Sequence, residues 1–158
     1  MSNPYTPPGA PVKDPPGAPR RSSLAAIGVG FAADVIATLV FSIVFGIAVA
    51  TMVAGEGDAL ERAADLIDRS TGLLVVGLAG GLACTALGGY VAARFANQSE
   101  YANAFAVGVA SLVFGEVTMQ LAAEPPALWL RLASDALVIP AAVLGGHLWA
   151  RRKRTAAR

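Results

Sequence analysis

Four ionisable residues interrupt the long apolar runs of this chain: Asp34, Glu116, Arg131 and Asp135. An ionised carboxylate at the centre of a bilayer costs about 2.5–3.5 kcal/mol on insertion scales, so one kept there is paired, protonated or used. Asp34 belongs to a file of small and polar residues, Gly30, Asp34, Thr38, Ser42 and Gly46, and should face protein rather than lipid. Tyr90 and His147 are its expected neighbours, at similar depth and in equivalent places of the internal echo LGGYVAAR and LGGHLWAR. An Asp–Tyr–His group binds a cation or relays a proton. The competing reading is a buried hydrogen bond from Asp34 to a nearby hydroxyl, or an acid protonated in place. The other three residues gather by depth towards the opposite end. Arg131 and Asp135 are four apart and share a helix face, with Glu116 at a similar height on the preceding helix. Arg131 then neutralises one acid or both. The cluster serves either as a clamp between two helices, its heads reaching water, or as a polar site open to the outside.

Other chemistry finds little material. A single cysteine, Cys84, leaves no internal disulfide, and with a single histidine no zinc or haem ligand set is visible. There is no phosphate loop and no nucleophile–base pair. The chain is therefore expected to be non-enzymatic, with no catalytic residue, no metal and no cofactor.

The elements that position these residues are membrane helices. More than half of the 158 residues are apolar and 15% are charged, against about a quarter charged in soluble domains. The apolar residues also come in unbroken runs, which predict an all-α polytopic membrane protein in a lipid bilayer. Its four transmembrane helices are expected at about 24–54, 72–93, 102–123 and 127–150, within a domain of residues 23–150. A bilayer core about 30 Å thick needs about 20 helical residues, so the first run tilts or projects. Residues 1–22 hold seven of the ten prolines and two copies of Pro-Pro-Gly-Ala-Pro. They are expected to form a disordered cytoplasmic tail, either a spacer or a docking segment for a proline-reading partner. A secretory signal would fit Arg20-Arg21 and Ala48-Val49-Ala50, but the intervening run is about twice the usual 7–15 residues.

Basic residues set the orientation. Lys13, Arg20, Arg21, Arg94, Arg151, Arg152, Lys153, Arg154 and Arg158 fall on one side of an alternating four-helix path, and only Arg62, Arg69 and Arg131 on the other. Both termini are thus expected in the cytoplasm. Residues 151–158 form a basic tail suited to anionic lipid rather than nucleic acid. On the opposite side, Asp58–Arg69 repeats Leu60, Ala63, Ala64 and Ile67 on one face and should be helical.

Small residues mark the packing faces. The second helix carries Gly77, Gly81, Gly88 and Gly89, the third Gly108 and Gly115, and the fourth Gly145 and Gly146. Close backbone approach through such residues holds helices together where lipid removes the hydrophobic drive. LGGYVAAR at 87–94 matches LGGHLWAR at 144–151 in five of eight places. This echo suggests two helical hairpins related as a parallel repeat.

The GGYVAARFA helix end, with its polar turn and following small-residue helix, resembles uncharacterised small four-helix bacterial inner-membrane proteins. The likeness covers mainly residues 72–115. It implies the four-helix fold and a bacterial inner membrane, and brings no activity. Two functions are expected from the residues themselves. The first is a structural or interaction protein, self-associating or joined to a membrane-protein partner. The alternative is a small proton- or cation-coupled transporter working as an oligomer around Asp34.

Overall fold

A computed structural model describes residues 23–53, 58–96, 99–121 and 127–156; the proline-rich segment lies outside them. Among the described residues the chain is all-helical, with α1 at Ser23–Met52, α2 at Ala59–Arg69, α3 at Thr71–Phe95, α4 at Glu100–Leu121 and α5 at Leu128–Ala156. Four of them, all but α2, are long and apolar enough to cross a membrane. At 1.5 Å per residue α1 is about 45 Å long, well beyond a hydrocarbon core of about 30 Å.

The distribution of side chains inverts that of a water-soluble domain. The buried core is mostly alanine, including Ala26, Ala92, Ala93, Ala104, Ala142 and Ala150. The outside of α1 presents Ile36, Leu39, Val40, Ile43, Val44 and Ile47, each more than half exposed. Large apolar residues outside and small ones inside suit helices that meet closely while lipid covers the rest.

α3 is the centre of the bundle: it packs against α1 on one side and α5 on the other, and also touches α4. α4 closes the bundle against α5 and, more sparsely, against α1. Glycines make these contacts. A Cβ on Gly30 would stand 2.6 Å from the Ala92 Cβ and 2.7 Å from the Gly88 carbonyl oxygen. One on Gly88 would meet the Asp34 Cβ at 2.7 Å and the Gly30 carbonyl oxygen at 2.8 Å. Gly89 lies against the backbone of Ala142, and Gly145 against the backbone of Ala86, so α3 and α5 each press a glycine onto the other's carbonyl. Gly108 rests on Ile139 and Ala142, and Gly146 on Ala104. Gly77 instead faces the Phe45 ring, while the space beside Gly81 and Gly115 is open.

The end of α5 differs from the sequence expectation. α5 runs on through Arg151–Arg154 to Ala156, where a separate tail was expected. Arginine and lysine favour helix and sit well at its negative C-terminal end, and Lys153 Nζ reaches Glu100 Oε1 on α4 at 2.8 Å. α5 also continues through Pro140 without a break in the assigned helix. The segment expected between the first two spans is helical as α2, where Arg69 Nη2 pairs with Asp65 Oδ1 at 2.6 Å. At the turn into α4, Ser99 has φ of 60°. Its carbonyl is held by the Asn103 side chain, whose Nδ2 donates to it at 3.0 Å.

Candidate functional site

Asp34 is 4% exposed, on the face of α1 that meets α3 and α4. Gly88 leaves room for its Cβ, which is why a side chain on this turn can turn inward. The carboxylate accepts a hydrogen bond from Ser111 Oγ of α4 at Oδ2. Thr38 Oγ1, one turn along α1, lies 3.5 Å from Oδ1, the outer limit of such a contact. The acid stands eleven residues into α1, and Ser111 stands eleven residues into α4. Each is about 16 Å from its helix start.

Beside the carboxylate is a cavity of about 430 Å³ bounded by α1, α3, α4 and α5. Its polar lining is Asp34 with the hydroxyls of Thr38, Thr85, Ser111, Thr118 and Ser134; the remainder is apolar apart from glycine. Two hydroxyls are tied back to their own helices. Thr85 Oγ1 donates to the Gly81 carbonyl at 3.3 Å, and Thr118 Oγ1 to the Gly115 carbonyl at 2.8 Å. Phe31 and Phe114 face each other edge to face, ring centres 5.6 Å apart, and both line the cavity. Gly81 and Gly115 border it as well, which accounts for the open space beside them. Among the described residues, Asp34 is the one charged group in this lining.

Tyr90 and His147, the neighbours expected from sequence, hydrogen bond elsewhere. His147 Nδ1 is 2.9 Å from the Tyr101 hydroxyl of α4. Arg152 Nη1 donates to the Tyr90 hydroxyl at 3.4 Å, and the Tyr90 ring stands edge-on to Trp149. Rotation explains the difference for Tyr90: Gly88 stands against the Asp34 Cβ, and Tyr90, two residues on, points about 200° away around α3. Ser111 is not among the residues expected from sequence. Its hydroxyl, at the depth of Asp34, was the signal that could have found it.

At the other end of the bundle Arg131 joins α5 to α4. Its Nε donates to Glu116 Oε1 at 3.2 Å and its Nη2 to Oε2, a two-pronged pair. The pair is partly open, with side-chain exposures of 43% for Arg131 and 30% for Glu116. Asp135 is half-buried one turn further along α5. Among the described residues no three His, Cys, Asp or Glu side chains gather as a metal site.

No protein-family model matches this chain, and no curated protein or solved structure matches it.

Proposed function

We propose that this chain is a multi-pass membrane protein that binds a cation at Asp34 and carries it across the bilayer in exchange for a proton. The observation that carries this reading is the buried Asp34 carboxylate on the wall of a cavity between all four long helices. A buried acid that serves only as structure is enclosed by its partners; this one borders open volume. Intramembrane acids facing a cavity are the usual markers of ion and proton paths. All the polar groups come from one chain, so the reading does not need a second copy to complete the site, although an oligomer remains compatible with it. The glycine faces that suggested self-association are largely occupied within the chain, which weakens the purely structural alternative.

Topology belongs to the same proposal. The distribution of basic residues supports both termini in the cytoplasm with α2 outside, and the resemblance of the GGYVAARFA segment supports a bacterial inner membrane. The crossed contacts of α3 and α5, each made by a glycine of an echoed segment, support a parallel repeat of two hairpins.

The test is cation-driven proton movement in reconstituted vesicles. Wild-type protein should dissipate an imposed pH gradient when sodium, potassium or an organic cation is supplied. Asp34→Asn keeps the shape and removes the charge, and should abolish the flux. Flux that survives Asp34→Asn, or no flux from well-folded wild type, overturns the reading.

A further inference from the structure

Resting on that reading, we propose that the cation is organic: a quaternary ammonium ion carrying an apolar group. The inference joins the charge of the cavity to its size and its walls. A volume of about 430 Å³ is in the range of small-molecule sites rather than of a bare ion. A hard inorganic cation asks for roughly six oxygen ligands in one shell. Here the hydroxyls are spread along two turns of α4 and over three other helices, with apolar side chains between them. An inorganic ion would have to bring its own water into that apolar space.

The walls of the cavity narrow the class further. A primary ammonium carries three N–H donors that each need an acceptor. Asp34 and the hydroxyl oxygens of Ser111 and Thr38 beside it keep lone pairs for some of these, so the apolar and aromatic walls decide between the classes. A quaternary ammonium has no N–H to satisfy. It requires one negative charge at a distance and aromatic faces against its methyl groups. Asp34 supplies the first. Phe31, three residues before it, and Phe114, three residues after Ser111, supply the second, both at the cavity wall. The remaining apolar lining, with Leu78, Leu82 and Val138, suits the hydrocarbon part of such a cation.

Benzyltrimethylammonium is the probe, titrated against purified full-length protein in lipid nanodiscs. Its uncharged carbon isostere, neopentylbenzene, is run beside it. Wild type should bind the ammonium at least about tenfold more tightly than the isostere, the preference that one opposing charge confers. Phe114→Leu preserves apolar volume and removes the ring, and should weaken ammonium binding by roughly threefold to tenfold while leaving the isostere unchanged. Asp34→Asn should remove the preference for charge. Equal binding of ammonium and isostere to wild type overturns the proposal without any variant. Proton flux that depends on Asp34 with sodium or potassium, together with no ammonium binding, also overturns it but leaves the broader cation reading standing. No Asp34-dependent flux and no preference for charge removes both.

Discussion

Replacing Gly145 by alanine tests the geometry on which the cavity depends. The added Cβ would fall against the Ala86 carbonyl, 2.7 Å from its carbon and 2.9 Å from the Tyr90 nitrogen. Ordinary contacts begin near 3.4 Å, and all three atoms are backbone, so no side chain can swing aside. Overpacking a tight site costs typically 1–3 kcal/mol, and rigid neighbours put this case near the top, about 3 kcal/mol. Alanine returns about 1 kcal/mol through its better helix propensity. The net loss is about 2 kcal/mol, roughly a thirtyfold shift in the unfolding equilibrium. Reversible unfolding in mixed micelles, with steric trapping as an independent readout, measures it. Gly46→Ala is the matched control, because a Cβ there meets nothing within 4 Å and should be neutral or slightly stabilising. If Gly145→Ala is as stable as Gly46→Ala, α3 and α5 do not meet backbone to backbone, and the reasoning from glycine contacts fails.

Three further outcomes follow from contacts already described. Glu116→Arg and Arg131→Glu should each lower the thermal midpoint, and the double swap should recover most of the loss; a double variant no better than its parents rules out direct pairing. Ser111→Ala should weaken cation binding roughly tenfold, since a hydrogen bond to a charged group contributes about 1.5–3 kcal/mol, with little change in helix content by circular dichroism. In a Cys84→Ser background, Thr155→Cys should react with an impermeant thiol reagent only from the cytoplasmic side and Asp68→Cys only from outside; the reverse pattern inverts the proposed topology.

The spanning helices were legible because charge is costly in lipid, so four long apolar stretches with at most two charged residues each announce themselves whatever they pack against. α2 was legible from a single apolar face at helical spacing. The surroundings of Asp34 were not. Sequence periodicity gives which face of a helix is small, but not how far each helix is shifted along its axis. That shift is set where Gly30 meets Gly88 and Gly89 meets Ala142. Nor does depth give facing: Tyr90, two residues past the Gly88 that meets Asp34, turns about 200° away, and a hydroxyl on α4 meets the acid instead. The extension of α5 was hidden for a related reason: Arg151–Arg154 look like a membrane stop, and nothing local says that Lys153 has a partner in Glu100.

The seating of α4 has a mechanical consequence. Near its first half it is clasped closely, Gly108 against Ile139 and Gly146 against Ala104. Its second half borders the cavity and is tied across by the Arg131–Glu116 fork. From Gly108 to Leu121 is thirteen residues, a lever arm of about 20 Å. A rigid tilt of roughly 10° about that clasp would carry the free end through about 3.5 Å, close to the width of a methyl group. The fork is the latch on that lever, and Ser111, three residues beyond the fulcrum, would barely move.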